Sequence, residues 1–486
     1  MAVVTSQIPA SGVRVRIQPL LGSLVAFLVV VFVFEESLYG RLGLSGTGYL
    51  VAKALPELVL YCTLLLVLAD RLVSGKLARY QPSIFDLFLT IFVGLAFLSL
   101  WINGGSIVEG ALNLRTMLRY VSVFYIIALT GWRPTIEQFE RLFRILVYLG
   151  LLQSGLILLQ HLLGDAFRDA WFSAPRAEVE INGVQRLLGQ MDTKLGAGFG
   201  TFGKTPLAAF FLLFVMTIVA CRATMSSGRT ARRGWLVYVV LLLGVYFTYK
   251  RAPLLIALIV PILAAWMSGR FVAVRRYLVA AMVIVPLAMV AIMQSAPDKY
   301  VREKEVRLSP AESLGQLFSD RYWSIASSKS RGWMIREVGA QALGSFRPLG
   351  YGPDEARAKR ELSATGGEFS KLAGWGAFDD VYLVACLVYY GPIGVLLLLL
   401  AVLVVYRRAR RLGRNGRSFY LRVAGTSLGV LTVIFLLSTL VVRLPEFRSF
   451  AFAYWALAGI VMVATSREGQ RISDGGGQVI GGRSVV

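Results

Sequence analysis

Histidine is almost missing. His161 is the single one in 486 residues, so no multi-histidine metal site is available. Cysteine is nearly as scarce. Cys62, Cys221 and Cys386 all fall in apolar runs, where they read as small core residues and suggest no disulfide framework. Charged residues make up 16% of the chain, against about 25% in soluble domains, which excludes an ordinary soluble enzyme. There is no phosphate-binding glycine loop of the nucleotide type, and no internal repeat strong enough to argue an inverted-repeat transporter.

What is present is apolar. Hydrophobic residues account for 56% of the chain, and its mean hydropathy is +0.65. Apolar windows of about 17–25 residues predict about twelve membrane spans, near 18–35, 49–69, 84–102, 114–131, 142–163, 204–221, 235–250, 253–268, 277–296, 380–406, 422–442 and 448–465. The expected organisation is therefore about nine helices in 1–296, a large polar loop at 297–378, about three helices in 379–465 and a glycine-rich tail at 466–486. The first run ends at Glu35-Glu36 and lacks a small-residue cleavage site, so it reads as a retained span and not a removed signal.

The net charge of +23 is mostly topological. Arg71, Lys76 and Arg79, then Arg222 to Arg233, then Arg270 to Arg276, then Arg407 to Arg422, all fall on one side if spans alternate. By the positive-inside rule that side is the cytoplasm, with both termini there and the loops near 164–203 and 297–378 outside. No nucleic-acid partner is needed to explain the arginine runs.

A second group of cations stands where the outward ends of spans belong. Arg115 and Arg119 lie four apart, on one helical face. Lys250 and Arg251 sit between two spans, Arg443 and Arg448 flank the last short loop, and Arg331 and Arg336 occur in the large loop. One reading is a set of separate side chains snorkelling to the interface. The other is a basic cavity for an anionic ligand, because the guanidinium fork gives paired hydrogen bonds to phosphate.

Four stretches resemble the O-antigen ligase and Wzy-type polymerase superfamily of bacterial polysaccharide assembly. They are Gly200-Thr201-Phe202-Gly203-Lys204-Thr205-Pro206-Leu207-Ala208, Tyr249-Lys250-Arg251-Ala252-Pro253-Leu254, Arg331 with the downstream Pro348-Leu349-Gly350-Tyr351-Gly352, and Asp379-Asp380-Val381-Tyr382-Leu383 with Gly391-Pro392-Ile393-Gly394. The resemblance spans about residues 84–405. It implies an all-α polytopic inner-membrane protein with one large, partly helical periplasmic loop. It also implies a cofactor-free, metal-independent, inverting glycosyltransferase that takes an undecaprenyl-diphosphate-linked oligosaccharide. Arg251 and Arg331 then attend the diphosphate, with Arg115, Arg119, Lys250 and Arg336 as further substrate contacts.

The chain departs from the ligases in having Asp379-Asp380 where they have a His-Asn pair, which favours a polymerase of exopolysaccharide, capsule or O-antigen. Either aspartate is a candidate to orient or deprotonate the acceptor hydroxyl; capping the next span is the plainer role. A ligase acting on lipid A-core, or a flippase of the same lipid-linked intermediate, is the alternative. A chain-length regulator is a possible partner. Trp323, Trp333 and Trp375 suit loop packing or interfacial anchoring more than sugar stacking, and His161 suits a satisfied bundle position.

Overall fold

The computed structural model describes residues 17–75, 82–164, 166–168, 177–181, 184–188, 196–270, 331–345, 347–364, 381–440 and 442–474. The chain is a multi-pass membrane protein whose bundle is all-α. Its helices are α1 (Ile17–Arg41), α2 (Gly46–Val73), α3 (Ile84–Ile102), α4 (Ile107–Leu118), α5 (Val121–Thr130), α6 (Ile136–Leu163), α7 (Thr205–Met225), α8 (Gly228–Tyr246) and α9 (Arg251–Ser268). In the expected large loop, Arg331–Trp333 runs through a π-helical turn, Met334–Val338, into Gly339–Gly344; together these are α10. Helix α11 (Glu355–Ser363) follows, then α12 (Tyr382–Asn415), α13 (Phe419–Ser438), a 3₁₀ turn (Leu444–Glu446) and α14 (Arg448–Asp474). The only described strands are an antiparallel pair, β1 (Ala177–Ile181) and β2 (Val184–Leu188), with Ala177 opposite Leu188.

Among the described residues, nine helices are long and apolar enough to cross a bilayer, or ten if the bent pair α4–α5 counts as one span. Helix α8 is not among them, because Arg229, Arg232 and Arg233 occupy its first turns. The expected span 277–296 lies outside the described residues. Every other expected span coincides with a helix or with the bent pair.

Alternation of the helices gives the bundle two unlike ends. One carries the short α7–α8 and α12–α13 turns and the last residues of α2 and α9, and is rich in arginine. The other carries the long connections and is called the loop face below. Helix α7 runs through the centre, with 89% of its apolar window buried, whereas α2, at 22%, lies on the outside of the bundle. An all-round apolar sequence such as Phe210-Phe211-Leu212-Leu213-Phe214-Val215 fits a central helix. Ring contacts tie the layers together: Phe32 packs edge-on to Tyr120 at 5.4 Å between centroids, and Phe92 of α3 meets Tyr390 of α12 at 4.8 Å.

Three local breaks shape the loop face. The expected span 114–131 is bent by 63° between α4 and α5. At the bend, the Ser122 hydroxyl donates to the Arg119 carbonyl at 2.7 Å, satisfying a backbone group that the break releases. In α2, Pro56 has no N–H for the carbonyl four residues back; that carbonyl, on Ala52, accepts from the Tyr39 hydroxyl at 2.9 Å. In α12, Gly391 leaves helical geometry (φ 64°, ψ −179°) and Pro392 follows.

Candidate functional site

The α12 break recruits the loop. Pro392 cannot donate to the Val388 carbonyl, and Ile393 N–H turns to Pro348 O at 3.3 Å. The Val388 and Tyr389 carbonyls accept instead from Tyr351 N–H at 2.8 Å and Gly352 N–H at 3.0 Å. A Cβ on Gly350 would stand 2.5 Å from Gly391 N and 2.6 Å from Val388 O, so only glycine permits this backbone approach. The strap 347–354 is fixed on its other side by the α3–α4 turn. Ser99 Oγ donates to Leu349 O at 2.8 Å, Asn113 Nδ2 to Pro353 O at 2.6 Å, and Ser106 N–H to Asp354 Oδ2 at 3.0 Å. Two stretches that resemble separate family motifs, 348–352 and 391–394, are thus one structural unit.

The glycine-rich stretch before α7 is held by two buried glutamines of α6. Gln160 Oε1 accepts from Phe199 N–H at 2.8 Å and Gly200 N–H at 2.9 Å. Gln153 Oε1 accepts from Thr201 N–H at 2.9 Å, while its Nε2 donates to Thr201 Oγ1 at 2.8 Å.

Between these units lies a cavity of about 820 Å³ at the loop face, walled by the ends of α1, α2, α4, α7, α12 and α14. Its cations are Lys53, Arg115, Arg119, Lys204, Arg443 and Arg448, and its carboxylates are Glu35, Glu36, Glu57, Glu109 and Glu355. Phe32, Leu207, Tyr382, Tyr389, Tyr390 and Phe447 supply apolar and aromatic wall.

Glu57 is the centre of the charged wall. Its Oε1 accepts from Arg119 Nη1 at 2.8 Å and Arg448 Nη2 at 3.2 Å, and its Oε2 from Arg115 Nη1 at 3.2 Å. The Glu57 side chain is 4% exposed, Arg119 12%, Arg448 14% and Arg115 46%. Arg448 also donates to Glu35 at 3.0 Å and to the Lys53 carbonyl at 2.8 Å. Beside this network Lys53 pairs with Glu36 at 2.7 Å, and both contact the Tyr49 hydroxyl. Charges this deep are tolerated only when paired and hydrogen-bonded. Among the described residues, no group of three or more His, Cys, Asp or Glu side chains is disposed to hold a metal ion.

No protein-family model and no curated protein matches this chain.

The sequence-predicted residues are distributed unevenly. Arg115 and Arg119 line the cavity, and their four-residue spacing delivers both to one carboxylate. Lys250 and Arg251 are half-buried at the α8–α9 turn, where Lys250 caps α9 and Arg251 begins it, and neither is among the cavity-lining residues. The turn is led by Tyr249 at φ 58°, an uncommon conformation outside glycine. Arg336 is exposed on α10 beside Glu337, at 3.4 Å. Arg331 opens α10. Asp379 and Asp380 lie outside the described residues, three and two positions ahead of the cavity residue Tyr382.

Of the loop tryptophans, Trp333 is buried in a small core with Met334, Val338, Tyr351, Val384 and Val388, which gives it the packing role; Trp323 and Trp375 lie outside the described residues. His161 Nδ1 is 3.0 Å from Gly196 O and its ring lies 4.5 Å from that of Phe247, a satisfied bundle position.

Residues that sequence reasoning did not select are Glu35, Glu36, Glu57, Lys53 and Lys204. The available signals were Lys53 and Glu57 four apart inside an apolar span, with Pro56 between them.

Proposed function

We propose that this chain is an inner-membrane polymerase of a bacterial surface polysaccharide, moving glycan from an undecaprenyl-diphosphate carrier onto the next lipid-linked repeat unit. The observation that carries the reading is the cavity at the loop face. Its volume lies within the range of small-molecule sites, about 300–1,000 Å³. Its arginines suit a diphosphate, and its apolar wall suits the first units of a prenyl chain. In this reading the arginine-rich face is cytoplasmic and the loop face periplasmic.

The chemistry follows from those groups. The acceptor hydroxyl attacks the anomeric carbon while the bond to the diphosphate breaks. Arginines neutralise the charge that develops on the leaving diphosphate; one such group is worth about 10²–10³ in rate. Arg251 and Arg331 take this part by the family resemblance, and Arg115 and Arg119 by their presence in the cavity. Asp379 or Asp380 orients the acceptor hydroxyl and takes its proton.

One observation favours a second reading. Buried ion pairs inside a membrane bundle are also the mark of a transport path, and Glu57 with its arginines is such a cluster. A flippase of the same lipid-linked oligosaccharide is therefore the competing function.

The test is glycan output in a deletion strain at matched membrane levels of wild type, Arg251→Ala, Arg331→Ala, Asp379→Ala with Asp380→Ala, and Arg115→Ala with Arg119→Ala. Single repeat units that reach the periplasmic leaflet but stay unpolymerised support the polymerase. Polymer made but left on its lipid carrier identifies a ligase. Repeat units held on the cytoplasmic leaflet identify a flippase. Normal polymer from both Arg251→Ala and Arg331→Ala removes those two from the site.

A further inference from the structure

We propose that Arg115, Arg119 and Arg448 form a phosphate site whose resident occupant is Glu57, a carboxylate that the incoming ligand displaces. The inference rests on the reading that the cavity receives a diphosphate, and it adds what holds the site before the ligand arrives.

Three guanidiniums, from α4, the α4–α5 bend and α14, converge on the two oxygens of one carboxylate at 2.8–3.2 Å. Such convergence on oxygen is what a phosphate group requires. The arginines have partners that outlast Glu57. Arg448 keeps Glu35 and the Lys53 carbonyl, and Arg119 Nε keeps the Thr116 carbonyl at 3.2 Å. Arg115, the most exposed of the three, faces the cavity.

The charge count agrees. Three arginines against Glu57 and Glu35 leave one net positive charge. Without Glu57 they leave two, a closer match to a diphosphate. A means of movement is present as well. At Pro56, immediately before Glu57, α2 lacks a helical hydrogen bond, and the Ala52 carbonyl that would have accepted it is held by Tyr39. The helix has less holding it straight at this point than elsewhere along its length.

A resident anion competes with its ligand, and this fixes the sign of the test. Full-length protein in detergent is titrated calorimetrically with inorganic pyrophosphate and, separately, with farnesyl diphosphate. Glu57→Gln keeps the shape and removes the charge, so it is expected to bind at least about tenfold tighter than wild type at low ionic strength, the gain shrinking as salt rises. Adding Arg115→Ala or Arg119→Ala to that variant is expected to abolish the gain. Equal tightening of both probes assigns the site to the phosphate groups alone, and tightening of farnesyl diphosphate only assigns it to a lipid-borne diphosphate; both support the proposal.

Binding unchanged or weakened in Glu57→Gln, with wild-type binding still lost on removing the arginines, overturns the displacement while leaving the diphosphate cavity intact. Absence of binding in every form overturns both. If Glu57→Gln does not accumulate folded, Glu57→Asp decides: its carboxylate is withdrawn by one methylene, and tightening in the same direction is still required.

Discussion

At Glu57 two carboxylate oxygens serve three arginines, and the side chain has almost no access to solvent. Removing one partner from a buried ion network costs about 3–5 kcal/mol, because the remaining charges are left unpaired. Glu57→Ala is therefore expected to lower the midpoint of thermal unfolding in detergent markedly. Arg336→Ala, which breaks an exposed pair with Glu337, is expected to stay within about 1 kcal/mol of wild type. Equal midpoints for the two variants would show that the buried network contributes nothing to stability. The arginines of this cluster were legible in the sequence, because their position near a span end and their four-residue spacing are local facts. Their acidic partner was not. Glu57 sits in a window whose mean hydropathy still reads as an ordinary span, and its role depends on Arg448, hundreds of positions away.

Among the helices, the decisive events are breaks. Proline and glycine at Pro56 and Gly391-Pro392 were visible as letters, but a helical window absorbs them. Which backbone groups they release, and what claims those groups, is settled by tertiary neighbours. In α12 the claimant is the strap 347–354, and its docking places Tyr389 and Tyr390 on the cavity wall. Gly350→Ala puts a Cβ against the α12 backbone at a residue whose φ is +69°, so it is expected to undock the strap. Cys386, buried on that wall, reports the change. In a Cys62→Ser background, labelling of Cys386 by a membrane-impermeant maleimide is expected to be slow in the parent and several-fold faster with Gly350→Ala. Equal rates would mean that the strap does not control access. The bend between α4 and α5 was likewise hidden, since residues 114–131 have the apolarity of one continuous span. The bend keeps the Arg119 backbone near the cavity and spares its side chain the cost of lying in lipid.

For the whole molecule, span order and the unlike charge of the two ends were readable from hydropathy and arginine placement. The cavity was not, because six elements far apart in sequence meet there. Centre and periphery of the bundle also carry different tolerances. Ala208 and Ala220 of α7 are fully buried, and overpacking there costs about 1–3 kcal/mol or more. Ala208→Phe or Ala220→Phe is expected to reduce the yield of monodisperse protein on size-exclusion chromatography. Leu65→Ile and Leu66→Ile on α2, where both side chains are largely exposed on the outside of the bundle, are expected to leave it unchanged. Loss of yield in the α2 variants would place α2 against an unseen partner.

Helix α5 has 10 residues, and at about 1.5 Å per residue it rises roughly 15 Å, half of a hydrocarbon core about 30 Å thick. Helix α4 supplies the rest of that depth, and the joint between the two carries Arg119, which Glu57 ties to Arg448 at the start of the 19-residue apolar span of α14. Under the proposed function, a lipid-borne diphosphate meets these arginines at the loop-face end of the bundle, with its prenyl chain still among the lipid tails.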